Sequence, residues 1–474
     1  MQNTYDLAII GSGAAAFAAA ARAVGLGKSV VMVERGTIGG SCVNTGCVPS
    51  KALIAAAEAR HTAAEATARF PGITTSASPA DMPALIDGKQ DLVDAQRAEK
   101  YVDIADFYGW DMVPGDAAFA GTPDVPTLRV ASREGNVATI EADAYLVATG
   151  SRAWIPPIEG LEKAGYLTST TAMELTELPE SLLVLGGGYV ALEQAQLFAR
   201  LGSKVTLLAR SRLASREEPE VAQTLQKVFA DEDIRVLRRA VALRVAREAP
   251  DGQAVVTAEV AGRTQEFPTD RVLVALGRRP ATCGLALDTV GVETGEAGEV
   301  VVTDRLRSSN PRIWAAGDVT GHPQFVYVAA REGAVAAGNA LAGADEHMAF
   351  TGLPRVIFTS PAVGTVGLTE KETVAAGIRC TCSVLPLSHV PRALVNRDIR
   401  GFIKIVANVD TGEIVGLTAV SEGAGELAAE GVHLLGKSIT EVADAWVPYL
   451  TMAEGIRIAA KAFTTDVSKL SCCA

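Results

Sequence analysis

Tyr5–Ile10 reads YDLAII, Gly11–Ala16 reads GSGAAA, and after the small-residue run AFAAAARAVGLG the segment SVVMVE brings the chain to Glu34. The two mostly apolar segments predict buried strands, and the alanine-rich run between them predicts a helix. Strand, glycine turn, helix and second strand together make the setting that a Gly-x-Gly-x-x-Ala motif needs in order to bind a dinucleotide. In that setting Gly11 permits the turn, Gly13 lets the backbone approach a pyrophosphate, and Ala16 keeps helix and strand close. Glu34, about 20 positions on, is placed for a ribose hydroxyl. The alternative is a glycine turn with a structural role only.

The same unit recurs at LLVLGGGYVALE, where Gly186, Gly188 and Ala191 repeat the spacing. Two copies imply two nucleotides. The strand after the second copy, KVTLLARS, ends in Arg210 where the first ends in Glu34, with Arg212 nearby. A carboxylate there repels a 2′-phosphate and an arginine pairs with it, which favours NADP(H) at the second site and FAD at the first. A solvated loop is the other reading of these arginines. Ala144–Ser151 (AYLVATGS), VLVALGRRP from Val272 and RIWAAGDVTG from Arg312 are further strands that end in a glycine turn. Asp318, at the tip of the last, suits a ribitol hydroxyl or the cap of a helix beginning near Val326.

The length of 474 residues suits three domains, and a net charge of −12 without a basic, aromatic-interleaved run argues against a nucleic-acid partner. MQNTYDLAII enters a strand pattern directly, and the alanine run is broken by Arg22 and Gly25. No leader or membrane span is expected, and the cytoplasm is the expected location. Residues 55–100 predict a pair of helices, and residues 110–140 a short antiparallel sheet. After Gly352 strand-like runs give way to helices, as in an α+β module.

Seven cysteines are too few and too unevenly placed for a secreted disulfide framework. Cys42 and Cys47 lie in GGSCVNTGCVPSK, Gly39–Lys51. A regular helix would separate them by about 7.5 Å of rise, so the chain must bend back, at Asn44 and Gly46, for their sulfurs to meet. Cys47 is expected just before a helix that has Pro49 in its first turn, where amide dipoles favour a thiolate. A closed loop carrying a strained, reducible disulfide is the expectation, and two buried reduced thiols are the alternative. Cys472 and Cys473 stand together in the tail SKLSCCA, and Cys283, Cys380 and Cys382 read by default as small buried residues.

The Cys42–Cys47 segment, the two fingerprints, ATGS, AAGDVT and the C-terminal module together resemble the pyridine nucleotide–disulfide oxidoreductases along essentially the whole chain. The resemblance implies an α/β chain with two Rossmann-like dinucleotide-binding domains and a C-terminal α+β dimerisation domain. FAD would bind residues 1–150 and 276–347, NADPH residues 151–275, and residues 348–474 would pair two subunits. It makes Cys47 the thiol against the flavin, Cys42 the thiol that meets substrate, and Lys51 a residue near the flavin ring. Gly36, Ser41, Ala117 and Val326 fall on segments that line FAD, and Tyr189 resembles an aromatic gate for nicotinamide.

Two departures bear on the substrate. Where disulfide reductases of the family carry His-Pro-Thr-x-x-Glu, this chain has Tyr449-Leu450-Thr451-Met452-Ala453-Glu454, and the proton-donating histidine is absent. Adjacent Cys472 and Cys473 suit capture and transfer of a soft cation. Both features are similar to the branch of the family that reduces mercuric ion, with Cys42, Cys47, Cys472 and Cys473 as metal ligands. On that reading Hg(II) arrives as thiol complexes, the tail of one subunit serves the other's Cys42–Cys47 pair, and Tyr189 and Tyr449 line the pocket. The alternatives are a disulfide or dihydrolipoyl reductase and a thiol protein that sequesters metal without turnover.

Overall fold

The computed structural model describes residues 4–249 and 252–469, and these form two compact units. The first is built from the residues up to Ala52, Pro83–Trp154 and Gly277–Ala349; the second from Leu53–Met82, Ile155–Leu276 and Phe350 onward. The fold is α/β with parallel-sheet cores and a C-terminal α+β module. No helix among the described residues is long and apolar enough to cross a membrane.

In the first unit, strand β1 (Thr4–Ile10) is followed by helix α1 (Ala14–Gly25) and strand β2 (Val30–Glu34). β1 lies between β2 and Val137–Val147, parallel to both, with Ile10 opposite Val33 and Val147. Both faces of these strands are covered, so Leu7, Ala8, Ile9, Val31 and Met32 are buried and the runs are apolar without alternation. Parallel pairing carries all the strand ends to one edge of the sheet, the position where dinucleotides bind in such folds. The antiparallel strands Asp116–Gly121 and Pro126–Ala131 extend the sheet from Val137–Val147. α1 packs on the helix Val326–Ala342, where a Cβ on Gly333 would fall 2.0 Å from the Ala15 carbonyl oxygen. Only glycine permits that crossing.

The second unit repeats the parallel arrangement with Arg235–Arg238, Lys204–Ala209, Ser181–Leu185 and Arg271–Val274 in that order, beside a three-stranded antiparallel sheet. Its C-terminal module is a five-stranded antiparallel sheet with helices Ala424–Leu434 and Glu454–Lys461. One of those strands, Cys380–Pro386, is not expected from the sequence. As an edge strand it alternates only weakly, with half-buried cysteines and an exposed valine on one side.

Candidate active site

Helix α2 (Gly40–Asn44) carries Cys42, and helix α3 (Cys47–Arg69) carries Cys47 as its first residue rather than just ahead of it. Pro49 therefore stands at the third helical position, where its missing amide removes no intrahelical bond. The first such bond is Ser50 N–H to the Gly46 carbonyl at 3.1 Å. Between the two helices the chain folds back tightly enough that a Cβ on Gly46 would sit 2.8 Å from the Ser41 carbonyl oxygen. Asn44 holds the bend from inside, donating to the Ile38 and Gly40 carbonyls at 2.9 Å each and accepting from Arg97 at 3.0 Å.

The bend brings Cys42 and Cys47 within hydrogen-bonding distance as thiols. Sharing that hydrogen bond, burial, and the charge of a neighbouring thiolate all push the Cys42 thiol well above the ordinary range, while the Lys51 ammonium opposes the shift. Ionising Cys42 would place a second negative charge beside that of Cys47. Tyr101 also faces the pair: burial first, then the charges of Cys42 and Cys47, raise its phenol. Its ring meets Phe17 edge-on at 4.8 Å and packs on the loop at Gly39. Nothing local in the sequence marks Tyr101, because its helix contributes to the site only through packing.

The fingerprints have the form a dinucleotide needs. Gly11, at φ +103°, lies so close to the strand beyond it that a Cβ would fall 2.4 Å from the Ala148 carbonyl oxygen. Gly186, at φ +137°, repeats this at 2.3 Å from the Ala275 carbonyl oxygen and 3.2 Å from the Cβ of Ala191. Gly13 and Gly188 start their helices with no side-chain cap, so the first-turn amides stay available for phosphate oxygens. Ala16 and Ala191 are fully buried between helix and strand.

Glu34 accepts from Ser12 Oγ at 2.7 Å and from the Gly36 amide at 2.6 Å, which fixes its carboxylate at the mouth of the first turn. Ser41 is exposed on α2, Ala117 is half-buried on the strand Asp116–Gly121, and Val326 opens the helix that follows AAGD. Three strand ends converge at Asp318, whose carboxylate accepts from Ser151 Oγ at 2.6 Å and lies 3.9 Å from Arg278 Nε. Asp318 does not cap the helix at Val326, which begins after Phe325 without any side-chain cap. Buried Glu332 instead braces this turn, accepting from the Gly317 amide at 2.6 Å. Thr149 Oγ1, in the ATGS turn, is buried without a hydrogen-bond partner, which suits a cofactor oxygen. These features fit FAD at the first fingerprint.

At the second fingerprint Tyr189 begins the helix Tyr189–Leu201 and donates to Glu217, which also pairs with Arg355 at 3.2 Å. Burial, then the Glu217 charge, holds the phenol protonated far above its ordinary value. Arg210 is exposed immediately after the strand Lys204–Ala209, as a phosphate ligand must be. Arg212 is partly committed elsewhere, donating to the Ser215 and Glu217 carbonyls at 2.9 and 2.7 Å.

In the C-terminal module Tyr449 is half-exposed, and buried Glu454 receives the Leu450 amide and Arg457, both at 3.3 Å. Cys472 and Cys473 lie outside the described residues. Cys283 is exposed and Cys380 and Cys382 are half-buried, so the expectation of buried filler does not hold for these three. Among the described residues no group of three or more His, Cys, Asp or Glu is placed to hold a metal.

Family models match in two parts, pyridine nucleotide-disulphide oxidoreductase over residues 5–333 and the dimerisation domain of the same family over residues 353–460. A mercuric reductase of Streptomyces lividans is 56% identical over 473 residues, covering 99% of this chain and 98% of that one. A mercuric reductase of Lysinibacillus sphaericus is 44% identical, covering 100% of this chain and 85% of its own length. Among solved structures, a Cu(II) complex of an HOCl-induced flavoprotein disulfide reductase from Escherichia coli is 27% identical with a TM-score of 0.86, covering 97% of this chain and 99% of that one. With both parts of the family matched and the glycine turns and cysteine loop in place, the chain belongs to the pyridine nucleotide-disulphide oxidoreductase family.

Proposed function

We propose that this chain is a cytoplasmic, homodimeric, FAD-containing enzyme that uses NADPH to reduce thiol-bound Hg(II) to volatile Hg(0), and so detoxifies mercury. The observation that carries the reading is the Cys42–Cys47 pair beside Lys51, in a chain whose Glu454 holds the Leu450 amide and Arg457. A disulfide reductase needs a general acid to protonate its leaving thiolate. Hg(II) becomes Hg(0) by gaining two electrons and no proton, so Tyr449 in place of a histidine leaves no step undone.

NADPH and FAD, when bound, supply the two electrons. The chain's own residues present the metal to them. Cys472 and Cys473 of one subunit take Hg(II) from small thiols and pass it to Cys42 and Cys47 of the other, with each protein thiol giving its proton to a departing thiolate. The Lys51 charge favours loss of the Cys42 proton. Gly11, Gly13, Ala16, Glu34, Gly36, Ser41, Ala117, Asp318 and Val326 are assigned to FAD, and Gly186, Gly188, Ala191, Arg210 and Arg212 to NADPH. Tyr189, held by Glu217, closes over the nicotinamide site, and Tyr449 steadies the metal thiolate.

The test is NADPH oxidation with excess small thiol, with and without Hg(II), while mercury vapour is trapped. Mercury-dependent oxidation with Hg(0) in the trap is expected. Oxidation that ignores mercury and responds to glutathione disulfide or lipoamide would instead identify a disulfide reductase.

A further inference from the structure

Cys380 and Cys382 are alternate residues of the edge strand Cys380–Pro386, paired opposite Asn408 and Val406, so both side chains project from one face of the sheet. Both are half-buried, and Thr381 between them is exposed on the other face. Glu370 hydrogen-bonds Cys382, and Lys404, two residues before Val406 on the neighbouring strand, lies 2.9 Å from the same carboxylate. The reading above gives these two thiols no part.

Alternate residues of a strand have Cα atoms about 6.6 to 6.8 Å apart, at the far limit for a disulfide. A single ion suits the spacing better, because two metal–thiolate bonds of about 2.3 Å each span up to about 4.6 Å between the sulfurs. Two thiolates and one divalent soft ion make a neutral group, which suits two half-buried side chains on one face of a sheet.

We propose that Cys380 and Cys382 form a second Hg(II) site, a non-reducing one on the C-terminal sheet, that takes the ion from small-thiol complexes. In the exchange two Cys–S–Hg bonds form and two small-thiol–Hg bonds break. The two protein thiol protons leave on the released thiols, and nothing is oxidised or reduced. The ligand class rests on the proposed function, and the site itself does not.

The experiment uses the full-length FAD-loaded protein without NADPH. It is titrated with Hg(II) in the presence of a small thiol, and each cysteine's accessibility to an alkylating reagent is mapped by mass spectrometry. Cys380 and Cys382 should become protected together, at one ion per pair. Cys380→Ser and Cys382→Ser should each weaken retention at the remaining thiol by roughly 10²- to 10⁴-fold, the advantage of two linked ligands over one. Continued alkylation of both residues at saturating Hg(II), or protection of Cys382 unaltered by Cys380→Ser, would overturn the site. Mercury-dependent NADPH oxidation is measured in parallel: if it is absent while the pair is protected, the proposed function fails and the site stands. If turnover is normal and the pair stays open, the site alone fails.

Discussion

Lys404 shows how much can depend on one side chain outside the cofactor turns. Its side chain is 1% exposed, and its ammonium meets Glu218 at 3.1 Å and Glu220 and Glu370 at 2.9 Å each. Glu218 is equally buried, so removing the lysine leaves a carboxylate uncompensated in the interior. Lys404→Met should lower the free energy of unfolding by about 3 to 5 kcal/mol in denaturant titrations, and adding Glu218→Gln should recover part of it. The three carboxylates raise the lysine above its ordinary value despite its burial. The folded state then holds this proton more tightly than the unfolded chain, whose lysines titrate near about 10.4. The stabilisation is full below that pH and is lost as pH rises through the higher folded value. The gap between Lys404→Met and the unaltered protein should therefore be constant through neutrality and narrow only in strong alkali. A gap that narrowed near neutral pH would show that the carboxylates do not hold the charge.

The two fingerprint elements allow one substitution to be made twice. Alanine at Gly11 would put its Cβ 2.4 Å from the Ala148 carbonyl oxygen, and alanine at Gly186 would put its Cβ 2.3 Å from the Ala275 carbonyl oxygen, each at a positive φ. Backbone on both sides of the contact gives no room, so each turn must open. Gly11→Ala should purify with little flavin. Gly186→Ala should keep its flavin and need at least tenfold more NADPH for half-maximal flavin reduction, a loss of about 1.4 kcal/mol or more of binding. Equal flavin loss in both would remove the division of labour between the copies. These elements were legible because strand, glycine turn and helix are each written in consecutive residues. The Glu217–Arg355 pair that holds Tyr189 was not, since its partners are 138 positions apart and nothing local marks either one. Tyr101 and Glu332 escaped for the same reason, and the edge strand of Cys380 and Cys382 because half-exposure blurs the alternation that would reveal it.

At the scale of the whole molecule the question is whether one chain completes its own site. The dimerisation model matches residues 353–460, and within that span Trp446 is fully exposed and Tyr449 is 50% exposed on the isolated chain. Large aromatic residues exposed within a few positions of one another in the chain are characteristic of a surface that a partner covers. A two-fold dimer gives each Cys42–Cys47 pair one tail from its own chain and one from its partner, and the proposed function uses the partner's. Two inactive proteins distinguish the cases: one with Cys472→Ser and Cys473→Ser, the other with Cys42→Ser and Cys47→Ser. When the two are unfolded together, refolded in equal amounts with FAD and assayed on thiol-bound Hg(II), half the dimers are mixed. In each mixed dimer the chain that keeps Cys42 and Cys47 faces a partner that keeps its tail. About a quarter of the unaltered activity per chain should return. If each tail serves its own chain, neither parent chain carries both pairs, every dimer is inactive, and the mixture stays at the level of its parents.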